Sequence, residues 1–171
     1  MLATAQSILK RDPAARTLSM VVLTYPGLHA LGCYRVAHWF HVHHHYLLAA
    51  VITRWSAHRT AIYIDPGAEI GRNLFIDHGF GVVIGATAII DDDVTILHGV
   101  TLGARHEVGH HRHPHIKSHA FVGAHAQLLG NITIGEYAKI GANAVVLNNI
   151  PDHFTAAGNP ARIVQSKHVR Q

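Results

Sequence analysis

One cysteine, Cys33, is all the thiol the 171-residue chain contains, so no internal disulfide can staple it. Together with the lack of a signal peptide, this sets the expectation of a reducing cytoplasm. Long hydrophobic runs are also missing: the longest, such as Tyr46–Ile52, are too short to cross a bilayer. Charge is sparse at 14%, and the surplus of four Lys and Arg is scattered. Without a basic stripe and interleaved aromatics, nucleic acid is a poor partner. The surplus either keeps the chain in solution or suits a polyanionic small molecule. With 49% hydrophobic residues the chain reads as folded, one domain with a short helical extension, and long enough to bury a core.

What is abundant is histidine, 18 in all, clustered at His41–His45 and His106–His115. That number invites a metal reading. Spread along the whole chain, most fit solvated surface positions that gain charge in acid, and only a few are free for function.

Residues 1–60 carry helical spacing. Leu28, Leu31, Tyr34, Arg35, His38 and Trp39 follow a three-and-four rhythm, repeated by Leu47, Ala50, Val51 and Trp55. Asp12 before Pro13 predicts a helix N-cap with proline at the first helical position. Pro26-Gly27 is expected to punctuate between helices.

Over 61–165 the period becomes six. Ile64, Ile70 and Ile76 are followed, after a two-residue slip, by Ile84, Ile90, Ile96 and Leu102. A second series runs Ile116, Val122, Leu128, Ile134, Ile140 and Val146. Four residues after each, the side chain is usually small or apolar, as at Ala68, Ala88, Ala126 and Ala144. Such hexads predict a β-solenoid, a parallel β-helix in which three hexads make one triangular coil and the aliphatic side chains stack inward. The six-residue form is expected to wind left-handed, against the usual crossover preference. A β-sandwich would not hold one phase through six consecutive hexads. Between Leu102 and Ile116 the repeat is interrupted by a polar insertion, the loop 103–115, and repeat folds often bind ligands on such loops. Residues 166–171 read as a tail.

The chain resembles the serine O-acetyltransferases, a family of hexapeptide-repeat acyltransferases, from about Asp12 to Arg162. The likeness rests on Arg11-Asp12-Pro13-Ala14, Pro26-Gly27-Leu28-His29-Ala30-Leu31, Tyr34-Arg35-Val36-Ala37-His38-Trp39, Asp65-Pro66-Gly67-Ala68, Asp77-His78-Gly79, Arg112-His113-Pro114 and Ala156-Ala157-Gly158-Asn159-Pro160-Ala161-Arg162. Hexads alone are shared by many acyltransferases; the helical segment and the Asp-His and Arg-His-Pro motifs are more specific. The resemblance implies acetyl transfer from acetyl-CoA, a co-substrate rather than a resident cofactor, to the hydroxyl of L-serine. The product would be O-acetylserine for cysteine biosynthesis, and no metal is required.

An alcohol is a poor nucleophile while protonated, so the reaction needs a base near pH 7. The family's base falls on His78. Its pattern puts Asp12 and Asp77 on the substrate ammonium, Arg112 on the carboxylate and His113 beside the substrate. An oxyanion forms when the hydroxyl attacks, and backbone N–H groups near Gly103 and Ala104 are candidate donors to it. Coenzyme A is expected along the C-terminal coils, with its arm over Ala124 and Ala142 and its phosphates near Lys139, Arg162 or Lys167. Against these roles stand ordinary ones: Asp12 as a cap, the histidines as surface residues, Ala and Lys as plain solenoid positions.

Three positions depart from the family. The carboxylate that orients the base is replaced by Tyr63, so either its hydroxyl or Asp65, on the same strand face, would serve. Ala86 stands for a Glu and Ala104 for a Gly. The resemblance also implies a short form without the N-terminal region that joins two trimers, hence a lone homotrimer with sites between subunits. Without a C-terminal isoleucine, a complex with cysteine synthase is not expected. Competing readings are a different acceptor such as homoserine, a β-helix zinc hydratase using His98, His106, His110, His111 and His113, and a non-catalytic scaffold.

Overall fold

The computed structural model describes residues 1–105 and 111–164. Four helices come first: α1 (Leu2–Arg11), α2 (Leu18–Thr24), α3 (Pro26–Val42) and α4 (Tyr46–Thr60). Short strands follow, three to a coil. The first face is built from β1 (Tyr63–Ile64), β4 (Val83–Ile84), β7 (Thr101–Gly103), β10 (Gln127–Leu129) and β13 (Val145–Val146). The second is built from β2 (Glu69–Ile70), β5 (Ile89–Ile90), β8 (His115–Ile116) and β11 (Thr133–Ile134). The third holds β3 (Phe75–Asp77), β6 (Thr95–Leu97), β9 (Phe121–Val122), β12 (Lys139–Ile140), β14 (Thr155–Gly158) and β15 (Ala161–Val164). Every pairing is parallel except the closing β14–β15 hairpin.

Register stacks like on like, since Ile64 pairs with Ile84, Ile84 with Leu102, Ile70 with Ile90 and Ile76 with Ile96. All thirteen hexad positions are buried, and the small residues four places on fill the corners beside them. Each buried Ile or Leu contributes about 1.5–3 kcal/mol, so the hexads carry the fold. This is a left-handed β-helix with a helical cap.

The cap closes the open N-terminal end of that column. Ala30, Leu31 and Tyr34 on α3 join the solenoid core. Gly27 lets α3 lie on β3, because a Cβ there would meet the Ile76 Cβ at 2.8 Å. Arg11 donates to the carbonyls of Asn73 and Asp93, and Arg35 to those of Ile70 and Gly71. Polar side chains thus satisfy carbonyls of the first coil, which has no preceding coil to pair with, and that of Asp93 on the second.

Three helical expectations change. Asp12 starts no helix: it is the C-cap of α1, with φ −101°, and Thr17 caps α2 by accepting from the Met20 N–H at 3.1 Å. Pro13 ends α1 because the residue before a proline is pushed out of helical geometry. Pro26 does mark a boundary, as the first residue of α3, whereas Gly27 lies inside that helix as a packing contact. The apolar rhythm of α4 faces outward, with Leu47 77% and Trp55 57% exposed. Its buried side is Ala49, Thr53, Ser56 and Thr60, small enough for the helix to sit close to its neighbours.

Candidate active site

The sequence-derived candidates fall into two groups at the two edges of the first face. One group gathers where the third face turns into the first. The chain leaves β3 at Asp77 and turns at His78, which adopts φ 56°. Left-handed residues recur at these corners, including Asn73, Asp93, His125 and Asn143, so the conformation belongs to the repeat. What distinguishes His78 is its surroundings. Its side chain is 76% exposed, with Nε2 3.7 Å from the Asp77 carboxylate.

On the next coils, His98 lies 6.5 Å from the His78 ring, centroid to centroid, and His125 lies 4.9 Å from His98, each edge to face. The same corner continues to Ala124 and Ala142, stacked through the Asn143 N–H to the Ala124 carbonyl at 2.8 Å. Lys139, exposed on β12, stands just before it. A track of side chains therefore runs from His78 towards the C-terminal coils. Arg162 is exposed on β15, while Lys167 lies outside the described residues.

Asp12 approaches this corner from the helical cap. Its Oδ1 accepts from the Ala14 N–H at 2.8 Å and its Oδ2 from the Tyr25 hydroxyl at 2.6 Å. The Tyr25 phenol is pushed up to about 12, by burial first, then by its bond to Asp12 and the charges of Asp12 and Asp77. Two carboxylates therefore stand near one hydroxyl.

The second group sits where the first face turns into the second. The His113 ring lies over Gly85 and is buried, at 8% exposure. Its Nδ1 accepts from the Thr87 N–H at 3.2 Å and from the Thr87 hydroxyl at 2.8 Å. A nitrogen that accepts from a backbone N–H carries no proton, so the neutral ring holds its proton on Nε2, which lies against Gly85. The Thr87 oxygen in turn accepts from the N–H groups of Arg112 and His113, which fixes the Arg-His pair although its loop is only partly described. Burial, followed by the adjacent Arg112 charge, lowers the His113 pKa; Asp65 opposes both. The neutral ring is the favoured form.

Tyr63 and Asp65 emerge on the same outer face, because Ile64 between them points into the core. The Tyr63 hydroxyl donates to Asp65 Oδ2 at 3.3 Å, and Asp65 Oδ1 accepts from the Gly67 N–H at 2.9 Å. Burial first, then the Asp65 charge, raises the Tyr63 phenol. Among the described residues, neither side chain bonds His78. Gly103 follows Leu102 as Gly85 follows Ile84, so it sits one coil on from the His113 ring, with Ala104 exposed beside it. Tyr25 and Thr87 escaped the sequence reading, since neither stands in a motif and each acts through a neighbour. Among the described residues no three His, Cys, Asp or Glu are placed to hold a metal. His106 and His110 lie outside the described residues. No described helix is long and apolar enough to cross a membrane.

A stacked hexapeptide coil carrying an exposed corner imidazole beside a carboxylate places the chain among the hexapeptide transferases. Residues 113–148 match the family model described as bacterial transferase hexapeptide (six repeats). Over 159 residues, the chain is 50% identical to a serine acetyltransferase of Helicobacter pylori (strain ATCC 700392 / 26695), covering 93% of both proteins. A solved serine acetyltransferase of Brucella abortus strain S19, in complex with coenzyme A, superposes with a TM-score of 0.93 at 40% identity. The match covers 95% of this chain and 66% of that one. Soybean serine acetyltransferase complexed with serine gives 0.92 at 44%, over 95% of this chain and 67% of that one. The chain belongs to the serine acetyltransferase family.

Proposed function

We propose that the chain transfers the acetyl group of acetyl-CoA to the side-chain hydroxyl of L-serine, supplying O-acetylserine to cysteine biosynthesis. The observation that carries this reading is the exposed His78 ring beside Asp77, at a corner where Asp12 also arrives from the helical cap. His78 takes the hydroxyl proton as the oxygen attacks the thioester carbon, and returns it to the departing thiolate of coenzyme A. Asp77 offsets the charge that the imidazole gains. The substrate ammonium lies between Asp12 and Asp77. Arg112 and the Nε2–H of His113 receive the carboxylate. The N–H groups of Gly103 and Ala104 face the tetrahedral oxyanion, and the corner track past Ala124, Ala142 and Lys139 takes the coenzyme arm.

Because the ammonium and carboxylate groups sit at opposite edges of one face, a complete site joins the corner of one copy to that of the next. We therefore place the sites between the subunits of a homotrimer. A cytoplasmic setting goes with this reading, supported by the lone thiol of Cys33. Thiol release from acetyl-CoA should depend on serine and exceed that with homoserine. In His78→Ala it should fall by about two to four orders of magnitude, the scale of a lost general base. A variant that keeps the full rate refutes the assignment.

A further inference from the structure

We infer that Tyr25 is a positioning residue for substrate selection: its hydroxyl holds the Asp12 carboxylate where it can grip an α-ammonium group. The inference rests on the proposed acceptor being an amino acid. Tyr25 is the single residue between α2 and α3, with its backbone N–H bonded to the Val21 carbonyl. Pro26 after it restricts its backbone to the extended region. Its ring packs on the cluster formed by Ala5, Ile8, Val21, Leu28 and Phe75. The hydroxyl is therefore aimed from a rigid joint, and Phe75 ties that joint to the strand that ends at Asp77.

Asp12 is the C-cap of α1, its N–H bonded to the Ile8 carbonyl, and a turn follows it. The Ala14 N–H takes one carboxylate oxygen and the Tyr25 hydroxyl the other. Each oxygen keeps a lone pair, because a carboxylate offers about four acceptor sites. Two tethers fix the plane of the group and leave it open to a cationic substrate. A phenol is either neutral or anionic, so Tyr25 cannot replace the ammonium as a counter-charge; burial first, then its bond to Asp12 and the charges of Asp12 and Asp77, keep it protonated. It donates a hydrogen bond and leaves the negative charge for the ligand.

Tyr25→Phe removes only the oxygen and keeps the ring in its cluster. The measurement is kcat and KM for serine and for 3-hydroxypropionate, which has the same hydroxyl and carboxylate but no ammonium, alongside KM for acetyl-CoA. We expect KM for serine to rise about tenfold, the scale of one hydrogen bond to a charged group. The kcat, the KM for acetyl-CoA and the weak activity on 3-hydroxypropionate should stay within about twofold, so the preference for serine shrinks. An unchanged KM for serine overturns the inference. So does an equal loss on both acceptors, which is what general damage to the fold would give. Failure of the serine reading itself shows differently, as no serine-dependent thiol release by the unsubstituted enzyme.

Discussion

Gly85→Ala tests whether the solenoid places His113 for chemistry or merely tolerates it there. A Cβ at residue 85 would run into the imidazole, with Cε1 at 2.9 Å and Cδ2 and Nε2 closer still. The backbone of Gly85 is not left-handed, so alanine fits the chain and only the ring must yield. To move, His113 must give up both bonds to Thr87, and Thr87 then loosens its hold on the Arg112 N–H. A stranded buried donor costs about 1–3 kcal/mol, and overpacking a filled site costs a similar amount. If about 2–3 kcal/mol of that falls on carboxylate binding, kcat/KM for serine drops roughly 30- to 150-fold. The loss should appear mainly in KM for serine, read from initial rates of thiol release. Gly32→Ala is the matched control. Its nearest neighbour is the Met1 Cε at 3.8 Å, in the middle of α3, where alanine should stabilise by about 0.5–1 kcal/mol. Wild-type kcat/KM in Gly85→Ala would falsify the assignment of His113 to substrate binding.

Two further outcomes follow from the same geometry. Burial lowers the His113 pKa below its ordinary 6.5, so the unfolded chain takes up that proton first as the pH falls. The associated stability is present above 6.5 and is lost as pH drops from there towards the lower folded value. In His113→Gln the melting temperature should fall less steeply between about pH 7 and pH 5; an identical slope contradicts the argument. In the proposed homotrimer each site joins one corner of a copy to the other corner of the next, and three copies close the ring. Light scattering should therefore give a mass of about three chains, and a stable, active monomer or a hexamer would exclude the lone trimer.

The hexads made the solenoid legible because their physical demand is local and repeated. An aliphatic side chain every six residues has one place to go, and all thirteen went there. Cap helices were harder to read. In α4 the usual equation of apolar with buried inverted, since close packing selected Ala49, Thr53 and Ser56 for the inner side. Asp12 misled for a similar reason. Asp-Pro suits both a helix start and the turn after a helix, and only the position of α1 decides between them. At the candidate site, the motifs named residues such as His78 and His113 but not the side chains that hold their neighbours. Thr87 and Tyr25 gain their roles from a contact 26 residues and 13 residues away along the chain, a distance no local pattern reports.

The exchange of residues around β1 also acquires a physical meaning. The resemblance implies a carboxylate at position 63, where this chain has Tyr63; its nearby Asp65 lies on the same outer face but about 6.6 Å along the strand. There its charge raises the pKa of His113 against the effects of burial and Arg112, and Tyr63 and Gly67 hold its two oxygens. On the proposed roles this puts the acid at the edge assigned to the substrate carboxylate, and within one chain it makes no bond to His78. His78 is left with Asp77 as its nearest carboxylate, at 3.7 Å. On the proposed reading, Asp77 both faces the ammonium and steadies the imidazolium. Those two demands peak at different moments, the first when serine binds and the second as the proton moves. A second carboxylate for the ammonium relieves that conflict, and Asp12, held by the Tyr25 hydroxyl, supplies it.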